Sequence, residues 1–131
     1  MSAPIRQSVT LKASPAELFT AFLDSRQHSR ITGAPATTGR RVGARFTAFG
    51  GALSGRNLMI VPGKMIVQAW RSTQFKASDP DSILVLTFNK AAGGARIDLV
   101  HVNVPGHDHQ GVTRGWPKYY WGPWRMHLAK R

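Results

Sequence analysis

The chain has 131 residues, with 18 Lys and Arg against 6 Asp and Glu, no Cys, and 42% hydrophobic residues. That length predicts a single domain over residues 1–131, able to bury about two thirds of its unfolded surface, and the lack of cysteine excludes disulfide scaffolds, thiolate zinc sites and cysteine nucleophiles. No stretch approaches the ~18 consecutive apolar residues of a membrane span, and the opening residues carry no apolar secretory segment, so a cytoplasmic protein without a membrane span is expected.

The net charge of +12 raises nucleic acid, an acidic surface or an anionic ligand as partners. Its distribution argues against a nucleic-acid arm: eight basic residues fall in 1–60, five in 61–100 and five in 101–131, and only Arg40-Arg41 and Lys130-Arg131 are adjacent. Twelve Arg and six Lys spread in this way read as a solvated surface with no specific nucleic-acid partner. The charge leaves room for an acidic protein partner, or for an anionic ligand drawn to a pocket mouth.

Residues 5–12 alternate, with Ile5, Gln7, Val9 and Leu11 opposite Arg6, Ser8, Thr10 and Lys12, the pattern of a half-buried strand. Ser14-Pro15-Ala16-Glu17 then starts a helix, with Ser as N-cap, Pro at the first helical position and Glu closing a capping box. Leu18, Phe19, Phe22 and Leu23 supply its apolar stripe. Asp24-Ser25 caps a second short helix to about Ser29, before Gly33, Pro35 and Gly39 break the chain. From residue 43 onward, short β-rich runs between Gly, Pro and Asn predict a meander with strands at 45–49, 53–61, 64–71, 82–89 and 96–104.

After Pro105-Gly106 the composition becomes aromatic. Trp116, Tyr120 and Trp124 recur every four residues and line one helix face. Pro117 and Pro123 predict a bent or two-piece helix, about 107–121 and 123–130. Helices at both ends of one antiparallel sheet define an α+β domain in which the sheet curls around the terminal helix.

Polar residues on apolar strand faces are the informative ones. Gln68 shares a face with Ile66 and Trp70, and His101 and Asn103 continue the face of Ile97 and Leu99. The intervening strand presents Leu84, Leu86 and Phe88. If these faces point inward, Gln68, His101 and Asn103 project polar groups among Trp70, Phe88, Trp116 and Tyr120, the composition of a small-molecule pocket. The alternative is that they satisfy one another, Tyr120 or buried water. His107-Asp108-His109 follows a Pro-Gly turn and reads as a helix start, so no metal and no other cofactor is assigned. The chain carries no G-x-S-x-G elbow, no close carboxylate pair outside the Asp79–Asp81 turn, and no phosphate loop, so no catalytic residue is assigned.

The segments SVTLKASPAELFTAFLD, GG..LSGRNLMIVPGKMIVQAWRS, LTF, VNVPG and GW..YYWGPW resemble a small bacterial member of the START-like, SRPBCC superfamily. Within it they resemble the family homologous to the C-terminal domain of the heat-shock-protein-90 ATPase activator. The resemblance runs from Ile5 to about Leu128. It implies a helix-grip fold: a curved antiparallel sheet around a long C-terminal helix, two short helices after the first strand, and a hydrophobic cavity between sheet and helix. It implies no common reaction, since relatives in the superfamily bind lipids, sterols or aromatic polyketides and some act as cyclases.

The expected function is therefore binding of a small apolar, aromatic or lipid-like ligand between sheet and helix. Trp70, Phe88, Trp116 and Tyr120 would form the walls, and Gln68, His101 and Asn103 would orient a polar group. Two alternatives are an enzyme of the cyclase or dehydratase type using His101 as general acid or base, and a protein-interaction or stress-response module related to chaperone ATPase activators. The chaperone activity of eukaryotic relatives depends on a further N-terminal domain, for which 131 residues leave no room. The oligomeric state has no signature in the sequence.

Overall fold

Ile5, Val9 and Leu11 are buried while Arg6, Ser8 and Thr10 face solvent, so the alternation at the start of the chain produces strand β1 (Ile5–Leu11) in the computed structural model, which describes residues 2–131. Helix α1 (Pro15–Leu23) begins at the expected capping box: Ser14 Oγ accepts from the Glu17 amide, and the Glu17 carboxylate accepts from the Ser14 amide, both at 3.1 Å. Asp24 ends α1 and caps α2 (Ser25–Thr32), accepting from the Gln27 amide at 2.9 Å. The second helix runs three residues beyond the expected end, to Gly33 in the left-handed conformation.

The sheet comprises β2 (Arg45–Ala48), β3 (Leu53–Val61), β4 (Met65–Ser72), β5 (Ser82–Ala91) and β6 (Gly94–Val102), all antiparallel and ordered β1-β6-β5-β4-β3-β2. Consecutive strands are neighbours from β2 to β6, and β1 closes the row beside β6. The inward faces of β4, β5 and β6 carry the buried Ile66, Leu84, Leu86, Phe88, Ile97 and Leu99, which join one core with Leu18, Phe19 and Phe22 of α1 and the C-terminal tryptophans. Gly55 on β3 is required by packing. A Cβ there would lie 1.8 Å from the Ala69 carbonyl oxygen and 2.6 Å from the Phe46 ring.

The C-terminal helix is long, as the resemblance implies, and continuous, so of the bent and two-piece alternatives the two-piece one does not hold. It runs as α3 (Gly106–Gly115), a π-helical turn over Trp116–Trp121, and α4 (Gly122–Ala129), with helical φ/ψ at both junctions. Pro117 has no N–H to give Thr113, its partner four residues back. The side chain of Gln7 on β1 supplies the missing donor: its Nε2 donates to the Thr113 carbonyl at 2.8 Å, and its Oε1 accepts from Trp121 Nε1 at 2.9 Å. The Gly122 amide donates to the Pro117 carbonyl, five residues back. The widened turn thus absorbs the proline without breaking the helix.

Candidate ligand-binding cleft

His101 lies on the inward face of β6, as its position in the strand requires, and is fully buried. Trp116 Nε1, a donor only, points at His101 Nδ1 at 3.2 Å. Nδ1 is therefore the acceptor and the ring proton sits on Nε2, which donates to Ser82 Oγ at 2.8 Å. Ser82 passes its own proton to the Trp70 carbonyl at 2.6 Å. The chain Trp116–His101–Ser82–Trp70 ties the C-terminal helix to β6, β5 and β4. Burial, with a smaller contribution from His109, pushes the His101 pKa down to about 3. Both ring nitrogens are occupied and the ring is neutral, so His101 has the structure of a packing and positioning residue. It has neither the exposure nor the free nitrogen of a general acid or base.

The other expected polar groups separate. Gln68 is buried on the inward face of β4, where its Nε2 donates to Asn57 Oδ1 at 3.0 Å and its Oε1 has no partner among the described residues. Asn57, on β3 beside a bulge, donates to the carbonyls of Gly39 and Arg41 at 2.8 and 3.0 Å and so fastens the 33–44 loop to the sheet. Asn103 departs from its expected inward position. Strand β6 stops at Val102, and Asn103 adopts φ 62, exposed, with its Nδ2 donating to the Asp81 carbonyl at 3.3 Å. Asn tolerates this left-handed conformation better than most side chains. Phe88 is buried edge-on against Phe19, with ring centroids 5.7 Å apart, in the core under α1.

His28, unremarkable in the sequence, is buried and joins α2 to the C-terminal helix. Its Nδ1 donates to the Phe22 carbonyl at 2.7 Å, and its Nε2 accepts from the Tyr120 hydroxyl at 2.9 Å. Burial lowers the His28 pKa, partly offset by the bond to Phe22, and raises that of Tyr120. Both stay neutral. The three residues of the His107-Asp108-His109 run point apart: His107 pairs with Asp79 at 3.0 Å, and His109 reaches the Ala3 carbonyl at 2.8 Å. Among the described residues no three His, Cys, Asp or Glu side chains converge as a metal site.

A cleft of about 420 Å³, lined by Trp70 and Trp116 but not by His101, opens between the turn after β2, the end of β4 and the C-terminal helix. Phe49 and Leu53 form one wall, Trp70 the floor, and Val112, Trp116, Tyr119 and Tyr120 the helix side. Trp116 and Tyr120 line it because they lie four residues apart on one helix face, as the sequence spacing predicts. Sequence reading missed Phe49, Leu53, Asp108, Val112 and Tyr119 as lining residues, and the most distinctive of them is Phe49. It holds φ 52 at the head of a left-handed run with Gly50 and Gly51, and its ring stands edge-on to Tyr119 and Tyr120, with both centroids 5.6 Å away. A non-glycine residue in this region costs about 1–3 kcal/mol and is kept where surrounding contacts over-determine it.

Three of the seven expected site residues, Trp70, Trp116 and Tyr120, line this cleft. Gln68, Phe88, His101 and Asn103 do not. Among the described residues, the one charged side chain in the lining is Asp108, on a chain whose net charge is +12.

Residues 12–122 match the family described as Activator of Hsp90 ATPase homolog 1-like protein. The chain belongs to that family. It is 30% identical over 111 residues to the human activator of 90 kDa heat shock protein ATPase homolog 1, covering 85% of this chain and 32% of the human protein. It therefore spans about a third of the length of the curated relatives it matches. Among solved structures, an HSP90 activator from Plasmodium falciparum superposes with a TM-score of 0.87 at 22% identity, covering 98% of this chain and 97% of that one. A protein of the dynemicin biosynthetic locus superposes with a TM-score of 0.79 at 16% identity, covering 98% and 48%. Both establish a shared helix-grip fold. Among the described residues no helix is long and apolar enough to cross a membrane.

Proposed function

We propose that the protein binds a small apolar or aromatic molecule in the cleft between the β2–β3 turn, the end of β4 and the C-terminal helix. The observation that carries this reading is the cleft itself, a concave site of ligand size walled by aromatic rings, of which the Trp116 indole is fixed through His101 and Ser82 to the Trp70 backbone. Its lip carries the strained Phe49, the kind of residue found at ligand clamps. The fold is shared with a protein of the dynemicin biosynthetic locus. Burying some ~250 Å² of ligand apolar surface at about 25 cal/mol per Å² gives roughly 6 kcal/mol before binding entropy is subtracted, which corresponds to micromolar or weaker binding. The test is thermal stability with a panel of flavonoids, fatty acids and fused aromatic compounds near saturation. At least one class raises Tm, and a panel that leaves Tm unmoved removes the reading.

A second reading rests on the family and on charge. The named relatives activate a heat-shock ATPase, and of the 18 Lys and Arg side chains here only Arg71, Arg96 and Arg131 pair with acidic side chains among the described residues. This leaves a strongly basic exterior for an acidic protein partner such as a chaperone. Stimulation of a purified Hsp90-type ATPase by this chain, abolished by added salt and unaffected by filling the cleft with Ala52→Trp, supports it. Absence of both stimulation and binding at low salt counts against it.

A further inference from the structure

Five of the six acidic side chains have polar partners. Glu17 pairs with Arg131, Asp79 with His107, Asp81 with Arg71 and Asp98 with Arg96, while Asp24 caps α2. Asp108 is the exception: its carboxylate makes no hydrogen bond or ion pair among the described residues, although cations outnumber acids three to one. It is half-buried, and burial raises its pKa, an effect that the nearby His107 offsets only in part. It also lines the aromatic cleft. Its position in the first turn of α3 suits the positive end of the helix dipole, but that role does not require an aromatic enclosure or the exclusion of Lys and Arg from the lining. The neighbouring histidines are turned away, to Asp79 and to the Ala3 carbonyl. The Lys118 ammonium lies 5.1 Å from the centre of the ring of Tyr119, one of the lining residues, so this ring already takes a cation on its face.

We propose that the cleft selects an organic cation: an apolar or aromatic ligand carrying an ammonium group that pairs with Asp108 while its body lies against Phe49, Trp70, Trp116 and Tyr119. The proposal rests on the cleft being a ligand site and specifies the class of ligand it takes. Aromatic faces attract the cation, and the unpaired carboxylate supplies the partner that an isolated ammonium lacks on leaving water. The long-range field of a +12 protein predicts the opposite preference, for anions.

The two origins of selectivity separate in a calorimetric titration of the intact protein with 4-phenylbutylamine, 4-phenylbutanol and 4-phenylbutyrate at neutral pH and low salt. The amine binds at least about tenfold tighter than the alcohol, and the carboxylate binds weakest. Asp108→Asn brings the amine to within about twofold of the alcohol and leaves the alcohol unchanged. If the alcohol or the carboxylate binds as tightly as the amine, or the Asn variant keeps the preference, cation selection is wrong while the cleft still stands as a site. If none of the three binds, the cleft and the cation proposal fall together. The wild-type ranking is decisive even if the variant folds poorly.

Discussion

Lowering the pH from 8 to 5 tests the neutral, doubly bonded state of His101. In the unfolded chain an imidazole has a pKa near 6.5 and takes up a proton across this interval, whereas in the folded protein burial holds His101 at about 3 and it takes up almost none. The unfolded state therefore binds more protons as the pH falls, and folding stability declines. Integrating one proton's linkage over this range gives about 2 kcal/mol for His101 alone. His28, also depressed by burial, adds to the loss in the same direction. The carboxylates of Glu17 and Asp79 are held below their ordinary values, so their contributions are present above the unfolded carboxylate pKa and are lost only in more acidic solution. Asp108, raised by burial, acts in the opposite sense, but it is common to wild type and variant, so the difference between their profiles isolates His101. Urea unfolding followed by circular dichroism at pH 8, 7, 6 and 5, on the wild type and on His101→Asn, supplies the measurement. The variant keeps an acceptor for Trp116 and does not titrate, so its stability profile is flatter by about 2 kcal/mol over the interval, whatever its absolute stability. Parallel profiles would refute the assignment of His101 as a neutral group locked between Trp116 and Ser82.

Three further substitutions probe the frame that holds the cleft. Gln7→Leu leaves the Thr113 carbonyl and the Trp121 indole N–H without partners; it costs about 2 kcal/mol and speeds hydrogen exchange at amides 118–122, and unchanged exchange would mean that Gln7 does not support the π turn. Asn57→Ala releases the carbonyls of Gly39 and Arg41 and strands the Gln68 amide. It costs about 2 kcal/mol and accelerates tryptic cutting after Arg40 and Arg41, whereas a cutting rate equal to the wild type would show that the loop is held by other contacts. Gly55→Ala drives a methyl group into the Ala69 carbonyl and the Phe46 ring, and a loss of roughly 3 kcal/mol or more is expected in chemical denaturation; a near-neutral result would place β3 and β4 further apart at this position.

Much of the fold was legible because it depends on local chemistry. The capping box at Ser14, the alternation of β1 and the Gly and Pro punctuation of the meander act within a few residues, and the structure places these elements within a few residues of their expected bounds. The C-terminal helix was legible in its apolar face but not in its continuity. Pro117 is tolerated because Gln7, 106 positions away from Thr113, replaces the missing donor, and no local pattern announces that. The candidate site was legible in part for the same reason. Trp116 and Tyr120 follow from four-residue spacing and Trp70 from strand alternation, whereas Phe49 depends on a left-handed turn that positions its ring against Tyr119 and Tyr120. Asn103 was misplaced by continuing the strand alternation one residue too far. The period holds only while the backbone is extended, and at φ 62 it has ended. Of the polar groups expected to greet a ligand, His101 is spent on Trp116 and Ser82 and the Gln68 amide N–H on Asn57, contacts set by which strands become neighbours, while Gln68 Oε1 is left without a partner among the described residues.

The most direct test of the central claim is to map, by NMR, the resonances that shift when an apolar ligand identified by thermal stabilisation is titrated into the wild type and into Ala52→Trp. Ala52 is exposed and borders the cleft, so a tryptophan there fills the site without disturbing the core. The account predicts shifts concentrated at Phe49, Leu53, Trp70, Val112, Trp116 and Tyr119 in the wild type, and loss of binding in the variant. Shifts centred elsewhere, or undiminished binding with the cleft filled, would contradict it.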